Sequence, residues 1–172
     1  MSGLPEGSAP PTCLIVGLGN SLMQDDGVGV HAVRRLMADP PPGALIMEVG
    51  TDVFTAVSWL ESVPWVLAID AMDAGGRPGT IYHCDISDVA DANRPISLHE
   101  LSLVAVLEFI PVKRRPKITV LGVQPEVVQY GLDLSPALEK CLPKVLEAAQ
   151  AMVAEREARQ VLLSIGTDGL KT

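Results

Sequence analysis

The sequence predicts an α/β fold: a three-layer sandwich in which helices cover both faces of a five-stranded, mostly parallel twisted sheet. Three observations carry this expectation. Short runs such as Cys13–Leu18 and Trp65–Ile69 are apolar at every position, as strands buried on both faces must be. Segments with a helical apolar stripe alternate with these runs, the pattern of strand–helix–strand units. Hydrophobic residues make up 48% of the 172 positions, and the mean hydropathy of +0.29 is high for a chain without a membrane-length apolar stretch.

Taken in order, residues 1–11 are rich in Gly, Pro and Ser and read as a loose tail. The first strand is Cys13–Leu18. It breaks at Gly19-Asn20, and the loop that follows carries Gln24-Asp25-Asp26. A helix is expected from about Gly27 to Met37 on the stripe Val28, Val33 and Leu36, with Pro40-Pro41-Pro42-Gly43 as its stop. Ala44–Val49 reads as the second strand, and Asp52 as the N-cap of a helix through Phe54, Val57 and Leu60. Trp65–Ile69 is the third strand and ends in Asp70.

A Gly-rich connection, Ala74–Pro78, leads to a short strand from Thr80 to Cys84. After the polar stretch Asp85–Arg94, a helix is expected from near Ser97 to Phe109. Ile118–Val123 is the last strand. The last helix starts after Ser135, with Pro136 at the favoured first position, and runs to about Gln160. The expected organisation is one domain over residues 1–172, which suits this length. No internal repeat is visible, and residues 161–172 carry no assignment.

Composition excludes several functions. Aromatic residues are 3% of the chain and the net charge is −8. Stacking platforms are therefore scarce and a phosphate backbone is repelled, so no nucleic-acid partner is expected. Cys13, Cys84 and Cys141 are widely spaced and contain no Cys-x-x-Cys pair, which argues for reduced thiols rather than a zinc knuckle. Residues 1–12 hold no Lys or Arg and no apolar core, unlike a targeting segment. A cytoplasmic protein without membrane association is expected.

The chemistry concentrates in three places. The stretch from Gly17 to Gly29 places a sharp Gly turn after a buried strand, then two carboxylates before a helix. A dinucleotide fingerprint fails here, because Leu22 stands at the third Gly position and Asp25 and Asp26 would repel a pyrophosphate. Adjacent acids at a helix start are often only caps. The alternative is that one caps while the other points into the crevice as a ligand.

Asp70 closes an apolar parallel strand at the carboxyl edge of the sheet, where open α/β folds bind ligands. It could equally cap the following turn, although Asp73 is placed to take that role. Ser97-Leu98-His99-Glu100 is a capping box that sets His99 in a first helical turn. The helix dipole there disfavours the imidazolium and keeps the metal-binding neutral form. A lone histidine is more often structural. Two acids and one imidazole at the ends of separate elements instead point to a metal-coordinating site of Asp26, Asp70 and His99 with open positions for water or substrate.

Other candidates are weaker. His31 is expected to face solvent from the first helix. In His83-Cys84-Asp85, neighbouring strand residues point to opposite faces. The Glu155–Arg159 run reads as a solvated helix surface. His-Glu-x-x-His and Gly-x-Ser-x-Gly motifs are absent from the sequence.

Taken together, these residues closely resemble the nickel–iron hydrogenase maturation endopeptidases. The resemblance runs from about Leu14 to Val153. It rests on Gly17-x-Gly19-Asn20-x-Leu22-x-x-Asp25-Asp26-x-x-Gly29, Ile69-Asp70-Ala71, Pro78-Gly79-Thr80, Ser97-x-His99 and Leu121-Gly122-x-Gln124-Pro125. It implies an enzyme that removes a C-terminal peptide from the precursor of a hydrogenase large subunit, a hydrolase of aspartic or metal-assisted type.

The resemblance further implies that Asp26, Asp70 and His99 are the catalytic and metal-contacting positions. The metal is nickel contributed by the substrate, not a resident cofactor. Gly19, Asn20, Asp25, Gly50 and Thr51 fall on the implied substrate loops. One departure is Glu48-Val49-Gly50-Thr51, where many members carry Asp-Gly-Gly-Thr. The implied partner is the large-subunit precursor, and a monomer is favoured. A non-cleaving, metal-dependent checkpoint for the same precursor is the alternative that the same three ligands would serve.

Overall fold

A computed structural model of the chain describes residues 11–86 and 98–168. Its centre is the apolar strand β3 (Trp65–Ala71), buried at all seven positions. β1 (Cys13–Leu18), equally buried, lies parallel on one side of it, and β5 (Lys117–Val123) lies parallel on the other. β2 (Ala44–Gly50) extends the sheet beyond β1 in parallel, and β4 (Ile81–Asp85) closes the far edge antiparallel to β5. The strand order is β2-β1-β3-β5-β4, and the five-stranded, mostly parallel sheet is the one expected.

Alternating side chains divide the core into two layers. On one face, Ile15, Leu67, Ile69 and Leu121 pack beneath α1 (Val28–Leu36) and α4 (Pro136–Asp168), which contribute Val33, Leu36, Leu138 and Leu142. On the other, Leu14, Val16, Val66 and Val120 pack beneath α2 (Val57–Leu60) and α3 (Leu98–Leu107), through Leu60, Leu103 and Val106. Cys13, Cys84 and Cys141 are all buried free thiols.

Four expectations need correction. Asp52 makes no side-chain cap. Its carbonyl accepts from Thr55 at 2.7 Å, and the segment forms a 3-10 turn (Val53–Ala56) before the single turn of α2. Phe54 consequently points outward, 54% exposed, and stacks edge-on against Phe109 at 5.5 Å. His31, expected in solvent, is partly buried with Nε2 enclosed, because α1 is sandwiched between the sheet and its neighbours. The last helix continues past Gln160 to Asp168: residues 161–165 contain neither Pro nor Gly, and Gly166 lies within the helix rather than ending it. The tail 1–10, the residues 87–97 that include Ser97 of the expected capping box, and residues 169–172 lie outside the described residues. Among the described residues, no helix is long and apolar enough to cross a membrane.

Candidate active site

The site forms where β1 and β3 end side by side. Strand order reverses at β1, so the connections from β1 and β3 leave a crevice at their carboxyl ends. The close packing of α1 against that edge depends on glycine. A Cβ at Gly29 would collide with the carbonyl oxygen of Ile69 in β3 and crowd Leu18, so only Gly lets the helix start press directly onto the strands. Gly19, at φ +109°, turns the chain back over itself, and a Cβ there would collide with the carbonyl of Asp26.

The turned loop aims its second acid at the crevice. Asp26 accepts the Asn20 N–H at 2.7 Å through Oδ2 and keeps 23% of its side chain exposed. Asp70, sixth of the seven residues of β3, is fully buried and accepts the Ala71 N–H at 2.9 Å through Oδ1. His99, in the first turn of α3, places its ring between them. Nδ1 lies 3.3 Å from Asp70 Oδ1, and Nε2 lies 3.9 Å from Asp26 Oδ2. The three residues singled out in the sequence are thus brought together, with the imidazole as the middle member. Among the described residues, no three His, Cys, Asp or Glu side chains are arranged so that together they could hold a metal ion. The donor set is one imidazole and two carboxylates, a combination suited to borderline divalent metals.

Asp25 turns the opposite way. Fully buried, it accepts from Glu126 N and Val127 N through Oδ2 at 2.9 and 3.1 Å, and from Ser135 N through Oδ1 at 2.7 Å. Its side chain therefore presents nothing to a substrate. It anchors the strap of residues 125–135, which also meets the site loop through Gln24 N–H to Gly131 O and Gly131 N–H to Leu22 O, both 2.9 Å. Of the other expected loop residues, Gly19 donates to the Gly50 carbonyl at 3.1 Å, so the loops after β1 and β2 are tied together at the backbone. Asn20 is partly exposed and Thr51 exposed. Val49 is the extra residue of a bulge opposite Gly17 and Leu18, and its side chain is buried in the core.

Sequence reasoning passed over Gln124 as a working part. Its Oε1 accepts from Ala74 N at 2.9 Å, Gly76 N at 3.1 Å and the Tyr82 hydroxyl at 3.2 Å, while Nε2 donates to Asp73 at 2.8 Å. This residue holds the connection after β3. Asp73 is thereby committed to the turn, its carboxyl held below the usual range first by Gln124 and then by the Gly75 N–H.

Comparison with known proteins bears on this geometry. The hydrogenase maturation protease family model matches residues 30–152, well over half the chain and including Asp70 and His99. The chain belongs to the hydrogenase maturation protease family. The hydrogenase expression/formation protein HupM of Azotobacter chroococcum is 31% identical over 155 residues, covering 85% of this chain and 73% of that protein. HupD of Rhodobacter capsulatus is 29% identical over 140 residues, and the aligned part spans 65% of its length.

Among solved structures, the hydrogenase maturating endopeptidase HybD from E. coli superposes with a TM-score of 0.74 at 28% identity, covering 84% of this chain and 93% of that one. HybD from Thermococcus kodakarensis gives 0.72 at 27% identity, covering 81% and 97%. This maturation-protease chain therefore shares both the sequence pattern and the α/β fold of its relatives.

Proposed function

We infer that this member of the family is an endopeptidase that removes a C-terminal peptide from the nickel-loaded precursor of a nickel–iron hydrogenase large subunit, using the precursor's own nickel for recognition. The observation supporting this reading is the placement of His99 between a buried and a partly exposed carboxylate at the carboxyl edge of the sheet.

The imidazole is backed by Asp70, whose Oδ1 lies 3.3 Å from Nδ1, as a carboxylate stands behind a ligating histidine. Its Nε2 faces the opening beside Asp26. Nε2 of His99 and Oδ2 of Asp26, 3.9 Å apart, are the two donors that would meet the precursor's metal, an imidazole and a carboxylate suited to a borderline divalent ion. Nickel held by the precursor would be met first by these two outer donors, with Asp70 behind them. Docking through the metal brings the scissile peptide bond to the crevice, and its confinement beside a water supplies much of the acceleration. Hydrolysis adds that water across the C–N bond, leaving a new carboxylate on the large subunit and an amine on the released peptide.

The test is a processing assay on nickel-loaded and metal-free precursor, read by mass spectrometry. Shortening of the nickel-loaded form alone is expected. Equal cleavage of both forms would remove nickel recognition, and an unshortened precursor that nonetheless binds would favour the checkpoint role.

A further inference from the structure

The strap of residues 125–135 is held unusually firmly for a surface loop. Three backbone N–H groups bond to the fully buried Asp25, and two more hydrogen bonds link Gly131 to the site loop. Burying a carboxylate costs free energy unless it is well bonded, so the strap's shape is fixed by a deliberate anchor. Yet the strap contributes little to the core with its outer half. Val128 is 53% exposed, Tyr130 79% and Leu132 61%, and Leu22, joined to Gly131 by a backbone bond, is 50% exposed. A rigid segment that displays large apolar side chains is the construction of a recognition surface rather than of a core.

Two further facts define what fits. The strap's exposed charges are Glu126 and Asp133, and residues 125–135 contain no Lys or Arg. The surface is also continuous with the site, because Leu22 and Asp26 belong to the same loop. We propose that Leu22, Tyr130 and Leu132, framed by Glu126 and Asp133, form the docking surface for a precursor segment that carries apolar side chains flanked by basic ones. This rests on the proteolytic reading above and names the part of the substrate that reading leaves undefined. The strap then serves as a ruler: Asp25 fixes its height over Asp26, and so fixes which peptide bond reaches the crevice when the segment is seated.

The experiment uses the purified full-length protein and purified nickel-loaded precursor, measuring both binding and processing. Tyr130→Ser/Leu132→Ser removes exposed surface, so the melting temperature should hold. A rise of about tenfold or more in Kd and KM with kcat nearly retained is expected. Glu126→Gln/Asp133→Asn should flatten the dependence of Kd on salt. Val112→Ser, an equally exposed apolar residue before β5 at the opposite end of the sheet, should change neither.

Unchanged Kd and KM in the strap variants would overturn the proposal. So would a homodimer in light scattering that the same substitutions dissociate, which would make the occupant a second copy of this chain. Binding by the wild type without cleavage would refute the proteolytic reading while Kd still judged the surface. Wild-type protein that neither binds nor cuts would remove both.

Discussion

Asp25 and Asp26 are neighbours in the chain, but their carboxylates serve opposite directions. Asp25 is sealed beneath the strap by three backbone N–H groups, and Asp26 lies partly open, 3.9 Å from the imidazole of His99. One peptide bond therefore separates a residue of the fold from a residue of the site, and substitution should separate them experimentally.

Asp25→Ala strands the buried N–H of Ser135 and the partly buried N–H groups of Glu126 and Val127. Each unsatisfied buried donor costs about 1–3 kcal/mol, so urea unfolding should show a loss of roughly 2 kcal/mol or more. Asp26→Ala frees only the partly exposed Asn20 N–H and should shift stability by less than about 1 kcal/mol while ending precursor processing. Equal stability losses in the two variants would contradict this division.

Asp70 and His99 should prove unequal partners as well. Asp70→Ala removes the fully buried acceptor of the Ala71 N–H and the carboxylate 3.3 Å from Nδ1, so processing should fall together with the melting temperature. In His99→Ala, whose side chain is 15% exposed, processing should be lost with the smaller stability change. Thermal scans alongside cleavage assays check both outcomes.

Gly29→Ala should be severe although it adds a single methyl group. The new Cβ meets the backbone oxygen of Ile69 and the backbone of Leu18, neither of which can swing aside. Overpacking of this kind costs about 1–3 kcal/mol or more. The helix start must also lift from the sheet, carrying Asp26 with it, so activity should fall more steeply than stability.

Alkaline pH offers a test of the opposite end of β1. Burial is the chief cause that pushes the Cys13 thiol from 9.0 up to about 11 in the folded chain. The folded state therefore holds the proton more tightly than the unfolded one. Stability from this group is complete below pH 9 and is lost as pH rises toward 11, by about 2 kcal/mol. Urea unfolding across that range should show a shallower decline in Cys13→Ala than in the wild type, and parallel curves would refute the assignment.

The parts of the fold legible in the sequence were those settled by local pattern. β1, β3 and β5 are mostly apolar and buried on both faces, and each strand was recognisable from its own residues. The juxtaposition of the trio was legible because Asp26 follows β1, Asp70 nears the end of β3 and His99 opens α3. What stayed hidden depends on residues far away. Nothing local tells Asp25 from Asp26; the distinction is made by N–H groups of Glu126, Val127 and Ser135 near the other end of the chain. The role of Gln124 likewise exists only once β4 and the connection after β3 are folded around it. The segment through Phe54, Val57 and Leu60 is helical as expected, but it starts as a 3-10 turn without a side-chain cap from Asp52 and becomes α only over Val57–Leu60.

The middle position of His99 has a consequence for the life of the chain. Asp26, in the loop after β1, and Asp70, on β3, arrive early in synthesis beside two strands that pair with each other, but the imidazole between them comes later, and β5 and α4, which extend the sheet and roof α1, come later still. A partly made chain holds two carboxylates with nothing to connect them. Under the proposed function, a chain truncated before α3 is expected to be silent in the processing assay, because its two carboxylates lack the imidazole of His99.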